Sequence, residues 1–176
     1  GRNFEYYSED PLVAGKMAAA LTKGCQSEDV AISLKHFAAN NKETNRSSSD
    51  SRVSERALRE IYLKGFELCV KKAQPLTVMS SYNLINGVYA PNNRELLTGI
   101  LRCEWGFEGL VMTDWFATGH SDSRHELCCE AGNDLVMPGT PAAAWDIYRA
   151  LRRGELSRLT AERAARNILR FALGEA

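Results

Sequence analysis

The sequence predicts an α/β fold, an arc of a (β/α)8 barrel in which about four parallel strands alternate with helices. Short apolar runs, each brief enough for one buried strand, are separated by helix-periodic segments, a pattern that implies parallel pairing through right-handed crossovers. Polar residues follow every run, at Lys35-His36, Ser81-Tyr82, Asp114-Trp115 and Pro138-Gly139, as they do around a barrel mouth. No glycine-rich phosphate turn follows any of them, which argues against an open nucleotide-binding sheet. At 176 residues the chain falls short of the ~250 of a complete barrel, so residues 1–176 read as one partial barrel domain with no complete second domain.

The elements follow in order. Asp10 before Pro11, an alanine-rich run and then Gly24 give the N-cap, N1 and C′ pattern of a helix over Asp10–Lys23. Val30-Ala31-Ile32-Ser33-Leu34 is short, apolar and partly β-branched, a buried strand with Lys35-His36-Phe37 at its carboxyl end. Asn40–Arg52 is polar and reads as a long loop. Ser54 caps a helix that runs to Lys72, with Ala57, Leu58, Ile61, Tyr62, Phe66 and Leu68 at helical spacing.

Leu76-Thr77-Val78-Met79 forms the second strand, followed by a loop through Ser81-Tyr82-Asn83 and Asn86-Gly87. A helix over Arg94–Glu104 leads to the third strand, Leu110–Thr113. Leu135-Val136-Met137 is the fourth and stops at Pro138-Gly139. Helices over about Ala142–Arg153 and Thr160–Leu173 complete the pattern.

Composition narrows the partner. Lysine plus arginine equals aspartate plus glutamate at 22 each, so no global field favours nucleic acid or an anionic membrane, and a neutral ligand is expected. No apolar stretch approaches the ~20 residues of a membrane span. The start at Gly1-Arg2-Asn3-Phe4 has neither a methionine nor a signal-like apolar region, so the chain reads as part of something longer. Five cysteines, Cys25, Cys69, Cys103, Cys128 and Cys129, form no paired metal spacing and are expected to be reduced, as in a cytoplasmic bacterial protein. The sequon Asn45-Arg46-Ser47 points weakly toward secretion. His120 and His125 stand in a polar loop without a third ligand type, and neither a metal nor a cofactor is expected.

The heptad Gly109-Leu110-Val111-Met112-Thr113-Asp114-Trp115 is the most informative stretch. A carboxylate just past a buried parallel strand is where barrels keep their chemistry, and an adjacent indole suits a sugar-sized ligand. The plain alternative is that Asp114 caps a following helix. Cleavage at an anomeric carbon requires a carboxylate near the ring and an acid near the leaving oxygen, with donors holding the ring hydroxyls. Lys35 and His36, at a strand end, are suited to donate to vicinal hydroxyls, although each residue type taken alone is more often a surface lysine or a structural histidine.

The segment Lys35-His36-Phe37-Ala38-Ala39-Asn40-Asn41-Lys42-Glu43-Thr44-Asn45-Arg46 resembles the KHFxxNNxExxR signature of family 3 glycoside hydrolases. Val111-Met112-Thr113-Asp114-Trp115 resembles the family's V-M-S-D-W nucleophile strand. Gly1 through Glu5, Val78 through Asn83 with Asn86-Gly87, Leu101 through Phe107, and Ala131-Gly132 through Gly139 agree in the same order, so the resemblance covers nearly the whole chain.

The resemblance implies a retaining β-glycosidase in which Asp114 is the nucleophile, forming a glycosyl-enzyme intermediate that water hydrolyses. It implies that Arg2, Lys35, His36 and Arg46 contact the non-reducing sugar, that Met79 and Tyr82 line the same subsite, with the Tyr82 hydroxyl a donor to Asp114, and that Trp115 walls the ring. Asn40, Asn41, Glu43, Glu5, Asp134 and Pro138 are expected to be structural. The expected substrate is a β-linked glucoside or oligosaccharide, with a β-xylosidase or arabinosidase as the near alternative.

Departures matter too. Thr113 replaces the usual serine and keeps its hydroxyl. Ala38, Ala39 and Asn40 replace the proline, glycine and acid histidine of the hexosaminidase branch, which disfavours that branch. The general acid, which in the β-glucosidase branch comes from a sandwich domain, and the first barrel strands are missing. The chain is thus expected to be the C-terminal half of the barrel, partnered by an N-terminal barrel half and a sandwich domain of its parent, and inactive alone. A catalytically inert assembly unit is the alternative from another class. Thr160–Leu173 fading into Gly174-Glu175-Ala176 resembles members whose barrel follows the sandwich.

Overall fold

A computed structural model describes residues 2–120 and 122–174. Gly1 of the first motif and the closing Glu175-Ala176 lie outside the described residues.

Helix α1 spans Pro11–Gln26, capped by Asp10, whose carboxylate accepts from the amides of Leu12 (2.7 Å) and Val13 (3.1 Å). It runs past Gly24 because Gln26 is anchored elsewhere: its side chain accepts from Leu76 N at 2.9 Å and donates to Gln74 O at 3.2 Å. Strand β1 is Ser33–Phe37, three residues later than the apolar run suggests. Val30 is 55% exposed, so the first part of that run is not buried. Lys35 and His36 therefore lie inside the strand. β2 is the two-residue strand Asp50–Ser51, within the tract expected to be loop.

Ser54 caps α2, Glu55–Ala57, through its hydroxyl and the Ala57 amide. The helix widens to a π turn over Leu58–Tyr62 and continues as α3, Lys64–Ala73, ending on Gln74 in the left-handed region (φ 44°). Helices α1 and α3 approach closely enough that a Cβ on Gly15 would meet Gly65 O and Leu68 at 2.9 Å. β3 follows at Thr77–Ser80, then β4 (Leu84–Ile85) and β5 (Val88–Tyr89). Asn86-Gly87 joins the last two with positive φ at both positions, 51° and 87°, as a two-residue hairpin turn demands. The Asn86 amide also grips Val53 N and O at 2.9 Å each.

After a short 3-10 turn at Ala90–Asn92, the expected helix is present over Glu95–Glu104 but is π-wound. β6 is Leu110–Thr113. Gly109 before it admits no side chain, since a Cβ would collide with Leu76 O and Phe107. Among the described residues three further helices follow: α4 (His125–Ala131), which lies outside every helix the sequence predicts, α5 (Pro141–Arg153, capped by Thr140) and α6 (Arg158–Ala172, capped by Ser157).

The main sheet is parallel, in the order β1-β3-β6, and a second small sheet joins β2, β4 and β5. The sequence predicts four strands in the main sheet; among the described residues it has three. Leu135 forms only an isolated parallel bridge to Met112. Its segment is held by mixed bonds instead, Thr113 N to Leu135 O (3.0 Å) and Met137 N to Thr113 Oγ1 (2.9 Å). A threonine hydroxyl thus takes the place of one ladder acceptor. On the helix-facing side Val78 and Val111 are fully buried with Leu63, Val70, Leu97 and Leu101. Phe37 meets Phe66 and Trp105 edge-on at 5.1 and 5.8 Å. On the opposite face Met79 and Met112 stand in register and half-buried.

Asp134 locks the start of β6. Its carboxylate accepts from Val111 N at 2.9 Å, Arg102 at 2.6 Å and Asn167 at 2.9 Å, which agrees with the structural reading of this residue.

Candidate active site

The carboxyl ends of β1, β3 and β6 bring the predicted residues together. Asp114 follows β6 directly and is 9% exposed, with its amide bonded to Ser80 O at the end of β3 (3.1 Å). Its Oδ1 accepts from Trp115 N at 2.7 Å. No helix begins there: the next one, α4, starts eleven residues later, so the helix-cap reading of Asp114 does not hold. Its other oxygen, Oδ2, lies 3.5 Å from His36 Nε2.

His36 is 4% exposed and sits between two carboxylates, since its Nδ1 faces Glu5 Oε2 at 3.6 Å and the Tyr6 hydroxyl at 3.5 Å. Burial, then the Lys35 charge, pulls its pKa down to about 4 against the opposing pull of Asp114 and Glu5. The ring is therefore neutral near pH 7 and carries one N–H. The β1 register slips between Leu34 and Phe37, and such an irregularity re-aims side chains. The Lys35 side chain, 48% exposed, lies 3.3 Å from Glu5 Oε2, while the His36 ring turns inward.

Arg2 is buried, with its guanidinium paired to both Glu5 and Glu43. Glu43 also holds Arg46 at 3.1 Å, and the Arg46 guanidinium lies over the Tyr82 ring, 4.6 Å from its centroid. The Tyr82 hydroxyl donates to Trp115 O at 2.6 Å beside the Asp114 carboxylate. Burial, then the Asp114 charge, pushes its pKa up to about 12. Trp115 is 53% exposed and meets Phe116 edge-on at 6.3 Å. A cleft of about 660 Å³ includes Arg2, Glu5, Tyr6, Lys35, His36 and Asn40 in its lining.

Arg2, Lys35, His36, Arg46, Tyr82, Trp115 and Asp114 thus form one connected group. Met79 is placed near it by its strand alone, one residue before Ser80. Two residues at the centre of the cluster lacked a sequence signal for that position: Tyr6, whose hydroxyl contacts His36, and Glu5, expected to be structural, which links three cationic or polar side chains. Their proximity to β1 depends on how the loop over residues 2–8 packs, which no periodicity encodes. Among the described residues no group of three or more histidine, cysteine or acidic side chains is arranged to hold a metal ion, and His125 instead bonds Thr118 Oγ1 at 2.8 Å.

A sequence model described as the glycosyl hydrolase family 3 N-terminal domain matches residues 1–171. The chain belongs to glycosyl hydrolase family 3. Within that family, β-glucosidase A of Butyrivibrio fibrisolvens is 56% identical over 137 residues, 78% of this chain and 16% of that protein. An exo-α-(1→6)-L-arabinopyranosidase of Bifidobacterium breve is 49% identical over 169 residues, 96% of this chain and 22% of that protein. Among solved structures, β-glucosidase 3B of Thermotoga neapolitana in complex with glucose superimposes with a TM-score of 0.92 at 50% identity, over 97% of this chain and 24% of that one. The chain therefore spans less than a quarter of these family 3 relatives. Its parallel sheet with covering helices has the fold of the matching part of a family 3 β-glucosidase. The match identifies the family's N-terminal domain and leaves open which half of a barrel the chain forms.

Proposed function

We propose that this chain is the nucleophile-bearing part of a retaining β-glycosidase that hydrolyses terminal non-reducing β-D-glucosyl residues. The observation that carries the reading is Asp114 itself: a carboxylate at a strand's carboxyl end, 9% exposed and bridged by His36 to the Arg2-Glu5-Lys35 cluster. In this reading Asp114 attacks the anomeric carbon as the leaving group departs, and water later cleaves the glycosyl ester with net retention. Lys35, Arg2, Arg46 and His36 bind ring hydroxyls, Met79 and Tyr82 line the same subsite, and Trp115 covers a sugar face. The proton for the leaving oxygen comes from a carboxylic acid elsewhere in the full-length protein.

The chain fits the later part of the barrel, residues 1–176 forming one incomplete domain. Three parallel strands in sequence order, with the candidate residues at one end, support this placement. A preceding barrel half and a sandwich domain would then complete the parent, and the isolated chain would not turn over substrate. The arabinopyranosidase named above favours a second substrate reading, an arabinoside, because it matches over nearly the whole chain.

Asp114→Ala in the full-length protein should lower hydrolysis of an aryl β-glucoside by at least about 10⁴-fold, as loss of a nucleophile does elsewhere. Activity within tenfold of the parent refutes the assignment. Comparing aryl β-glucoside with aryl α-L-arabinopyranoside separates the two substrate readings.

A further inference from the structure

We propose that Glu5 is a positioning residue that holds the cations of this site away from the nucleophile, so that Asp114 stays unpaired and free to attack. The inference rests on the reading of Asp114 given above. Among the described residues Asp114 makes no ion pair with a lysine or arginine; its only charged-pair neighbour is His36, at 3.5 Å. Yet three cations stand close by, and each is bound to another carboxylate. Arg2 is divided between Glu5 and Glu43, Arg46 pairs with Glu43 at 3.1 Å, and Lys35 pairs with Glu5 at 3.3 Å.

Lys35 is the one most able to move. Its side chain is 48% exposed, on a flexible four-carbon stem, whereas that of Glu5 is 17% exposed and fixed by Arg2, Lys35 and His36 together. Lys35 is also next in sequence to His36, which touches Asp114. With Glu5 neutral, the ammonium loses its partner at 3.3 Å and is free to turn toward Asp114, the carboxylate that His36 touches. An ion-paired carboxylate is a poorer nucleophile and protonates at lower pH.

The groups that set this balance are on several elements. Arg2 faces Glu5 from the first loop, Lys35 and His36 face it from β1, and the Tyr6 hydroxyl faces His36. His36 faces Asp114 from β1, and Tyr82 faces it from beyond β3.

The test uses the full-length protein with an aryl β-glucoside. Glu5→Gln should lower kcat about tenfold and move the acid limb of kcat/KM down by about one pH unit, as an opposite charge newly close to a carboxylate does. Adding Lys35→Met to Glu5→Gln costs ring binding and so raises KM further, yet it should return the acid limb toward the parent's position, because no ammonium is left to pair with Asp114. An unchanged kcat and acid limb in Glu5→Gln, or an acid limb that stays displaced in the double variant, overturn the proposal. Should Glu5→Gln not fold, Lys35→Met alone decides: the acid limb stays in place if Glu5 already restrains the ammonium, and a rise of about one unit contradicts it. Trapping with a 2-fluoro glucoside separates the two levels. A label on Asp114 with an unperturbed Glu5→Gln variant defeats only this inference, whereas a label elsewhere defeats the reading it rests on.

Discussion

Replacing Asp134 by alanine should be among the most damaging single changes outside the site. Its side chain is completely shielded and serves four partners: Arg102 at 2.6 Å, Val111 N and Asn167 at 2.9 Å, and Arg163 at 3.6 Å. Truncation leaves the Arg102 guanidinium, only 14% exposed, as a buried charge whose other bonds run to the carbonyls of Gly109 and Gly132, both at 3.2 Å. Removing one partner of a buried pair costs about 3–5 kcal/mol. The Val111 amide, at the start of β6, loses its acceptor as well, which adds about 1–3 kcal/mol if the two losses are independent. Because both act on one network, about 4–5 kcal/mol in total is expected. Urea unfolding of the full-length protein, followed through the transition of this domain, measures it. Asp134→Ala with Arg102→Met should recover part of the loss by removing the stranded charge. A loss below about 1 kcal/mol would refute the claim that this carboxylate secures β6.

Other perturbations test separate parts of the structure. Gly109→Ala should destabilise by about 1–3 kcal/mol through forced displacement of the Leu76 carbonyl and Phe107; an unchanged urea midpoint would show that this crossing is looser than described. His36 binds its proton at about pH 4 in the folded protein, against an unfolded value near 6.5. Its contribution is therefore complete above about pH 6.5 and is lost progressively as pH falls toward 4, by no more than about 3 kcal/mol. Comparing the pH dependence of unfolding with that of His36→Gln checks the sign: the variant should lose less stability than the parent between those pH values, and an equal loss assigns the effect to other groups.

The sequence was most informative where one side chain decides the local backbone. Asp10, Ser54, Thr140 and Ser157 each cap a helix by accepting a main-chain N–H; the first two were identifiable as caps because an apolar helical period follows them. β3 and β6 were legible from compact apolar runs buried on the helix side. Elsewhere the determinants are not local. β2, β4 and β5 are two residues each and exist because Asn86 and Asp50 bind backbone across the turn, so no period can develop. β1 lies downstream of its apolar run because register with Thr77 and the burial of Phe37 outweigh the β-branched residues before it. The fourth strand dwindles to a bridge where Thr113 substitutes its hydroxyl for a ladder bond. α4 has a polar beginning at His125-Glu126 and no capping side chain, leaving little signal to find.

For the site, the strand-end residues could be located from sequence, and motif resemblance suggested their roles. The linkage through Glu5, Glu43 and Tyr6 could not be located, since those side chains meet only after the first loop folds back over β1. The resemblance marks Glu5 as structural, but only the packed first loop shows that it gathers Arg2, Lys35 and His36.

The central claim is that Asp114 forms the bond to sugar. Incubating the full-length protein with an activated 2-deoxy-2-fluoro-β-glucoside and mapping the modified peptide by mass spectrometry tests it directly. One fluoroglucosyl group esterified to Asp114 is expected, with activity lost in step with labelling. A label on any other residue, or inactivation without a covalent adduct, would contradict it.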